Sequence, residues 1–371
     1  MRKVSFALAV GFALIACGGD EKQPPQTPAS TTPPAPTPTQ TAEAPKKEDP
    51  KPQPTMAELQ MKAGKTIAEA MNAHDAKKLA SVYTDTAVMK VAGAPQDAVG
   101  KEQIQASYQK LFDAFSNYKT AASRVFMKGD VVIVEWAFNG KHTGDLWGIK
   151  ATEKDAGAMG VDAMWFTPEG LIKEHHVYYD GATILSQIGI VKQKARPIPT
   201  LATEPQVFTS NGSPDEQKNV DTGKAISAAL EAKKEADFLA GLADNIEYDD
   251  MTQPQTAKGK ADAKKFFKEM TVGFPDAKYT TANTWAIGEY VISEGTMTGT
   301  HKGSFFTLPA TKKPVTLKSI DIYQYKDGKL VKGASYSNGA DFAQQLGIAP
   351  KPPAPKPDAA KPADAKPADK K

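Results

Sequence analysis

Apolar residues recur at spacings of three and four in the part of the chain that follows residue 55, and this period predicts amphipathic helices. Two sets carry the pattern: Leu59, Ala63, Ile67, Ala70 and Met71, then Ile104, Tyr108, Leu111, Phe112 and Phe115. A short helix that contains Leu79 and Tyr83 is predicted between them.

The pattern changes to period two after Ser116-Asn117, where β-branched and aromatic residues become frequent. Such alternation predicts strands at 131–138, 160–166 and 171–179, with a turn at 168–170. Helices followed by a run of antiparallel strands predict an α+β domain in which the helices pack on one face of a curved sheet.

The whole pattern occurs twice in the chain. The motif NGKHTG around His142 returns as TGTHKG around His301, a shift of 159 residues. The same shift carries Ile67 onto Ile226 and Ala151 onto Ala310, so the register is maintained across most of each half. The sequence therefore predicts a duplicated domain.

Composition and duplication together divide the chain into six predicted parts. These are a signal peptide at 1–16, a lipidated cysteine with a Pro-rich tether at 17–55, a first domain at 56–191, a linker at 192–214, a second domain at 215–348 and a Lys/Pro/Ala tail at 349–371. The tether and the tail contain too few apolar residues to offset the entropy of ordering, so both are predicted to be disordered.

The first residues resemble a bacterial lipoprotein signal. A charged start and a short apolar run lead to Leu14-Ile-Ala-Cys17, which is similar to the lipobox that precedes a lipid-modified cysteine. Acyl chains on Cys17 would anchor the protein to a membrane. By resemblance to Gram-negative lipoproteins, Gly18 after the cysteine favours the outer membrane, with the body facing the periplasm. Cys17 is the only cysteine, so no internal disulfide is expected.

The charge distribution argues against nucleic-acid binding. The formal net charge of +3 equals the surplus of lysine over aspartate in the tail from 351 to 371, which leaves the folded part close to neutral. A nearly neutral body lacks the basic face that binding to phosphates requires.

The order and spacing of several motifs resemble the SnoaL-like polyketide (ester) cyclases, a family of the nuclear transport factor 2-like superfamily. They are the helices, a Gly-Lys pair, a Glu-Trp strand, Gly-x-His-x-Gly, Ala-Thr and Gly-x-Ile-x-Glu…Asp…Gln-x-Gly at the end. The resemblance implies two tandem cone-shaped α+β domains, each with a sheet bent around a pocket. It also implies chemistry without a cofactor or a metal.

The segment LIKEHHVYYD at 171–180 is the most informative one for function. Alternation places Glu174, His176, Tyr178 and Asp180 on one face of the strand. The resemblance identifies Asp180 with the acid/base residue of the family and turns this face toward the pocket. An apolar pocket would raise the pKa of Asp180, and His176 or Tyr178 would stabilise an enolate.

The second copy departs from this pattern, because Asn338 stands where the first copy has Asp180. An amide cannot act as a base, so the second domain is expected to be non-catalytic. Further candidate pocket residues are Trp136, His142, Tyr248, Asp250, His301 and Tyr336. For His142 and His301, a structural role between two glycines is the alternative interpretation.

Two hypotheses about function follow from the sequence. In the first, the chain is an envelope lipoprotein whose domains bind a small apolar molecule or an envelope partner. In the second, the first domain is a cofactor-independent cyclase or isomerase with Asp180 as general base. The two domains are expected to form an intramolecular pseudo-dimer through their sheets.

Overall fold

The computed structural model describes residues 53–349, and two copies of an α+β domain make up most of this part. The predicted signal peptide, Cys17, most of the tether and nearly all of the tail lie outside the described residues. The first domain contains α1 (Met56–Ala73), α2 (Ala76–Ala80), β1 (Tyr83–Val91), β2 (Ala98–Val99), α3 (Lys101–Ala114), β3 (Lys119–Lys128), β4 (Val131–Lys141), β5 (Asp155–Phe166), β6 (Ile172–Tyr179) and α4 (Gly181–Gln187).

The second domain repeats this order after a connecting strand, β7 (Gln206–Thr209). Its elements are α5 (Pro214–Glu231), α6 (Glu235–Ala240), β8 (Leu242–Asp250), β9 (Ala257–Lys258), α7 (Gly259–Gly273), β10 (Lys278–Ile287), β11 (Tyr290–Thr300), β12 (Pro314–Lys326), β13 (Lys329–Ser337) and α8 (Gly339–Gln345). The predicted α+β class and the predicted tandem repeat are both confirmed. No helix within residues 53–349 has the length and apolar character needed to cross a membrane.

The sheets are mixed rather than purely antiparallel as expected. The first has the strand order β2-β1-β6-β5-β4-β3-β7 and the second β10-β11-β12-β13-β8-β9. Pairing is parallel between β1 and β6, between β3 and β7, and between β8 and β13. In each domain the first strand therefore runs in the same direction as the last long strand beside it.

Two local predictions differ from the structure. The short helix ends at Ala80, and Tyr83 begins β1 instead of continuing the helix. The predicted linker also contains structure, because β7 extends the edge of the first sheet beside β3. The Arg196 guanidinium, earlier in the same segment, donates to the Asp249 carboxylate at 2.7 Å and to two carbonyls of the second domain.

The helices and one face of each sheet enclose the domain cores. In the first domain, Ala63 of α1 and Ile104 of α3 pack against Met127, Val132 and Met164 of the sheet. Thr55 begins α1 with a capping box, since its hydroxyl accepts from the Glu58 N–H and the Glu58 carboxylate accepts from the Thr55 N–H. We call the helix-covered face of each sheet the inner face and the opposite face the outer face.

The outer faces of the two sheets pack against each other. One apolar cluster includes buried residues of both domains: Ala92, Phe126, Val131, Ile133, Val161, Ala163, Tyr178, Met251, Trp285, Ile287, Tyr290, Ile292, Ile320, Ile322, Ala334 and Tyr336. The aromatic rings of Trp165 and Trp285 meet across this boundary, with centroids 5.7 Å apart.

Two glutamates lie inside this interface at equivalent positions of β4 and β11. Glu135 accepts two hydrogen bonds of 2.6 Å from the Arg124 guanidinium and one from the Tyr336 hydroxyl of the second domain. Burial opposes the charge of Glu135, but Arg124 and Tyr336 hold its pKa below the ordinary value. The carboxylate therefore stays charged in a largely apolar interface.

We predict that Arg124→Met lowers the free energy of unfolding by about 3 kcal/mol, since it leaves a buried carboxylate without its cation. Urea unfolding of the full chain measures this loss. The double variant Arg124→Met with Glu135→Gln should recover about half of it, because the uncompensated charge is gone. A single variant as stable as the wild type would contradict this account of the interface.

Candidate functional site

A cavity of about 2290 Å³ lies in the first domain between the inner face of the sheet and the helices α1 and α3. Its walls are mainly apolar and aromatic. They include residues from the inner faces of five strands: Met89 of β1, Val125 of β3, Val134 and Trp136 of β4, Met164 of β5 and Val177 of β6. The cone predicted from the sequence therefore encloses open space in the first copy.

The mouth of this cavity extends to the second domain. Phe306 in the loop after β11 and Phe342 of α8 contribute to its lining, together with Trp147 in the equivalent loop of the first domain. Trp147 and Phe306 are exposed large apolar residues, and both have positive φ angles, of 55° and 49°. The entrance is thus lined by both copies, although the interior belongs to the first.

One carboxylate projects into this apolar interior, that of Asp162 on β5. Its Oδ1 atom is buried and accepts no hydrogen bond within the described chain. Nε2 of His175 lies 3.4 Å from it and also lacks a hydrogen-bond partner there. The imidazole is 2% exposed, and on its other side Nδ1 is 2.9 Å from the Tyr83 hydroxyl.

The polar chain continues from Tyr83 to the Tyr108 hydroxyl on α3, at 3.1 Å. Burial raises the pKa of both tyrosines, and the charge of Asp162 raises it further. The hydroxyls therefore remain protonated and act only as hydrogen-bond groups. Four side chains from β5, β6, β1 and α3 meet here, a constellation that the sequence analysis missed.

A signal for Asp162 did exist in the sequence. The shift of 159 places Asp162 on Asp321, so both copies carry an aspartate in the middle of an apolar strand. In the second domain, Asp321 accepts a 3.1 Å hydrogen bond from the Ser319 hydroxyl, and burial raises its pKa to about 6. The two aspartates share a position but have different partners.

The second domain also replaces the residues around this aspartate. Gly333 occupies the position of His175, and Tyr248 and Tyr323 are its neighbours on the adjacent strands. A Cβ atom on Gly333 would lie only 2.6 Å from Cδ2 of Tyr248. The tyrosine ring therefore covers the place where the first domain has its imidazole.

Asp180 has a different role from the one expected. It is 1% exposed and caps α4, where Oδ1 accepts from the Ala182 N–H and Oδ2 from the N–H and hydroxyl of Thr183. Its Oδ1 also accepts a 2.9 Å hydrogen bond from the N–H of Gly339 in the second domain. Burial raises the pKa of Asp180 despite these donors. All four donors are structural, so the carboxylate is a helix cap and a contact between domains.

Asn338 caps α8 in the same way, accepting from the N–H groups of Ala340 and Asp341. Its side-chain N–H donates to the Ala92 carbonyl of the first domain at 3.0 Å. An amide is needed for this contact, since a carboxylate could not donate. The difference between Asp180 and Asn338 thus reflects the groups that they contact across the interface.

The other residues expected to assist Asp180 point away from the cavity. Glu174, His176 and Tyr178 do share one face of β6, but it is the outer face. His176 Nδ1 and the Tyr178 hydroxyl both bond to the Glu294 carboxylate of the second domain, the latter at 2.7 Å. Glu174 pairs with Lys90 at 2.6 Å at the edge of this interface. The expectation that these side chains face the pocket is therefore wrong, because they lie on the opposite face of the strand.

The remaining candidates are distributed over three environments. Trp136 lines the cavity, whereas Tyr336 lies in the interface and Tyr248 on the inner face of the second sheet. Asp250 accepts from the N–H and hydroxyl of Thr252 at the end of β8.

The histidines of the repeated motif have equivalent structural positions. His142 and His301 are fully buried, and Nδ1 of each lies about 3 Å from a threonine hydroxyl, that of Thr152 or Thr311. Their rings pack against Phe115 and Phe274. Among residues 53–349, no group of three or more His, Cys, Asp or Glu side chains is arranged to hold a metal ion.

Comparison with known proteins gives one family. The family model described as SnoaL-like polyketide cyclase matches residues 62–188 and again 221–346. No curated protein matches the chain.

Several solved structures are similar to one copy of the domain. A protein from Jannaschia sp. CCS1 that is assigned as a SnoaL-like polyketide cyclase has 17% identity and a TM-score of 0.35, over 38% of this chain and 99% of its own. TsrD from Streptomyces laurentii has 17% identity and a TM-score of 0.33, over 36% and 96%. An LEH-like epoxide hydrolase from M. tuberculosis has 16% identity and a TM-score of 0.31, over 36% and 92%.

The bond between His176 and Glu294 predicts a pH dependence of stability. Burial alone would lower the pKa of His176, but the hydrogen bond and charge of Glu294 outweigh it, and the net pKa is raised above 6.5. A histidine whose pKa is raised by folding contributes its full stabilisation at a pH below its pKa in the unfolded chain. This contribution is lost as the pH rises through its pKa in the folded protein. The difference in unfolding free energy between wild type and His176→Asn should therefore shrink from pH 6 to pH 9.

Urea unfolding at a series of pH values measures this difference. In a Glu294→Gln background, the same His176→Asn change should show a smaller pH dependence, because the carboxylate that raises the histidine pKa most is absent and only the 2.9 Å bond from Nε2 to Glu174 remains. A difference that grows with pH would refute the assigned pairing.

Proposed function

We propose that this chain, which belongs to the SnoaL-like polyketide cyclase family, binds a small and largely apolar molecule in the cavity of its first domain. The observation that carries the proposal is the open, apolar interior of that domain, with the carboxylate of Asp162 in the wall formed by the sheet. Ligand sites typically combine such walls with a few polar groups that orient the ligand.

The size and the lining of the cavity indicate the kind of ligand. Its volume of about 2290 Å³ includes the mouth and exceeds what a single small metabolite fills. Trp136, Tyr118 and Tyr179 offer flat rings in this lining. Burial of about 200 Å² of apolar ligand surface contributes on the order of 5 kcal/mol before the costs of association. A multi-ring or long-chain molecule fits these dimensions better than a short polar one.

The second domain supports the site rather than repeating it. Tyr248 and Tyr323 cover Gly333 on its inner face, at the position where the first domain has the His175 imidazole. Its outer face stabilises the first sheet, and Phe306 and Phe342 extend the mouth of the cavity. We propose that the two copies act as an intramolecular pseudo-dimer with one binding site.

A second candidate function is cofactor-independent catalysis in the same cavity, as a cyclase or isomerase. The family to which the chain belongs favours it, and so does a buried carboxylate oxygen without a partner, that of Asp162. Asp180 does not support it, because four hydrogen bonds from protein donors already use its oxygens.

We also propose that the chain is anchored to a membrane, in the envelope, through lipid on Cys17. The support is the apolar run that ends in Leu14-Ile-Ala-Cys17 and the Pro-rich segment that follows it. A tether of this composition gives the folded part reach from the membrane surface. An anchored binding protein would take up or deliver an apolar molecule close to the bilayer.

We predict that Val134→Phe weakens ligand binding at least tenfold, because the larger ring occupies the interior beside Asp162. Fluorescence titration with 2-naphthol, a two-ring apolar probe, measures the affinity. Val99→Phe is the matched control, since Val99 is 53% exposed and lies outside the cavity, so its affinity should equal that of the wild type. Equal affinities of all three proteins would contradict binding in this cavity.

We predict that Cys17→Ser abolishes incorporation of labelled palmitate and releases the chain from the membrane fraction. Metabolic labelling and fractionation of bacterial cells that express the full chain measure both effects. An unlabelled wild type, or a variant that stays labelled, would rule out this anchor and leave the cavity proposal unaffected.

A further inference from the structure

We infer that the rim of the cavity mouth is a membrane-docking surface, which inserts exposed apolar side chains into a bilayer that contains anionic lipids. The rim consists of Trp147, Ile190, Phe306 and Ile348. The inference goes beyond the proposed lipid anchor on Cys17, because here the folded part itself contacts the bilayer. Docking would turn the mouth toward the lipid, so that an apolar ligand enters from there, and only this last step rests on the proposed function.

The first argument is that exposed apolar residues of both domains surround one opening. The four rim residues are between 40% and 52% exposed, and all of them line the cavity. They form two equivalent pairs, because the repeat carries Trp147 onto Phe306 and Ile190 onto Ile348. A large exposed apolar patch marks a surface that contacts a partner or a membrane.

The rim residues of the two domains are joined by the helices α4 and α8. A Cβ atom on Gly181 of α4 would lie 3.6 Å from the Trp147 ring, and α4 packs against α8. The ring of Phe342 on α8 lies 6.2 Å from that of Phe305, measured between centroids, and Phe305 lies 4.7 Å from Phe306. The exposed rings therefore belong to one continuous apolar surface.

The second argument is the backbone at the two aromatic residues of the rim. Trp147 and Phe306 each stand at the tip of a two-residue turn with a positive φ angle, of 55° and 49°, which aromatic residues rarely adopt. The Asp145 carboxylate accepts from the Gly148 N–H at 2.8 Å, and the Glu269 carboxylate accepts from the Phe306 N–H. Such strain persists where the surrounding structure imposes it, and it is concentrated at functional sites. Both copies thus hold a large ring in water at a strained position.

The third argument is the pair of lysines beside the rim. A Cβ atom on Gly189 would lie 2.2 Å from Nζ of Lys154, and one on Gly347 would lie 4.0 Å from Cε of Lys313. These glycines directly precede the two isoleucines of the rim. Among residues 53–349, neither of these exposed lysines forms a salt bridge. Ammonium groups next to an apolar patch match a bilayer, in which phosphate lies above hydrocarbon.

The surroundings of the rim are positively charged, although the folded part as a whole is close to neutral. The loops at 141–154 and 300–313, which carry the two aromatic tips, contain six lysines and two acidic residues. One of these acids, Glu153, already pairs with Lys141 at 3.0 Å. A positive surface of this kind attracts anionic lipid headgroups, so charge as well as apolar area favours a bilayer as the occupant.

The start of the folded part leaves the rim free to face the membrane. Gln60, near the start of α1, donates to the Gly129 carbonyl, which lies in the turn before β4. The 11 residues of β4 lead from this turn to the loop of Trp147, and they span roughly 35 Å. The segment 18–52 is longer than this distance, because 35 residues reach at most about 120 Å when fully extended. An anchor on Cys17 and a docked rim can therefore share one membrane.

The test is quenching of Trp147 fluorescence by phosphatidylcholine brominated along its acyl chains, in equimolar vesicles with phosphatidylglycerol. The full chain with Cys17→Ser, which lacks the proposed acyl chains, should be quenched, and the further change Trp147→Phe should remove most of this quenching. The other three tryptophans lie in the cavity and in the domain interface. The apolar run at 4–16 contains no tryptophan, so binding through that run alone gives no such signal.

Phe306→Ser tests the contribution of the second domain. It should raise the lipid concentration at half-maximal quenching about tenfold or more, because membrane binding scales with the buried apolar area. Val99→Ser is the matched control, since Val99 is 53% exposed but lies outside the cavity mouth, and its quenching curve should equal that of the parent chain.

The lysines are tested by a pair of double variants that remove the same charge. Lys154→Gln with Lys313→Gln should weaken binding to the anionic vesicles about tenfold, since each lysine near the surface contributes to the attraction. Lys218→Gln with Lys326→Gln is the control and should bind like the parent chain. Lys326 ends β12 whereas Lys313 precedes it, so the control pair lies roughly 40 Å from the rim.

Each outcome separates this inference from the proposed function. If the chain binds 2-naphthol but Trp147 is not quenched, or if Trp147→Phe is quenched as strongly, the docking surface is wrong and the binding function stands. Quenching of Trp147 without binding of 2-naphthol would support docking and contradict the proposed function. If Phe306→Ser instead dissociates a dimer in analytical ultracentrifugation and vesicles cause no quenching, the rim is a contact between two copies of the chain and the inference is overturned.

Discussion

The two buried glutamates between the domains constrain the rest of the molecule. Glu135 is bonded by Tyr336 of the second domain, and Glu294 by His176 and Tyr178 of the first. A charge removed from water costs several kcal/mol unless an opposite charge and hydrogen bonds compensate it. Glu135 of the first domain therefore depends on a hydrogen bond from the second domain, and Glu294 of the second depends on two from the first. The outer face of each sheet is committed to this contact, which leaves only the inner faces for a ligand.

The packing of the two outer faces against each other explains which predictions from the sequence were correct and which were not. The long periodic segments predicted α1, α3, the strands β4, β5 and β6 and the duplication of the domain, because these elements each bury one apolar face. Alternation also grouped Glu174, His176 and Tyr178 correctly on one face. It could not tell which face meets the helices, since period two is the same on both sides of a sheet. The strand β7 escaped prediction because its pairing with β3 depends on tertiary contact in a Pro-rich segment.

The exchange of Asp180 for Asn338 illustrates the same limit. In the sequence, the change looks like the loss of a catalytic acid. In the structure, both side chains cap a short helix, and the first accepts from the Gly339 N–H while the second donates to the Ala92 carbonyl. The two positions are equivalent in sequence but not in their contacts across the interface. A duplicated chain can differ at such positions without any change of chemistry inside either domain.

The inner faces show a difference that does affect function. Met89 and Met164 flank His175 in the first sheet, and Tyr248 and Tyr323 flank Gly333 in the second. Residues 333 and 248 are paired on adjacent strands, and a Cβ atom at 333 would lie 2.6 Å from the Tyr248 ring. A histidine at 333 would therefore require the Tyr248 ring to move. The second copy has the Tyr248 ring over Gly333 and therefore lacks an imidazole at this position. The first copy keeps the imidazole, with Tyr83 at its Nδ1, and beside it the aspartate Asp162, which lines the cavity.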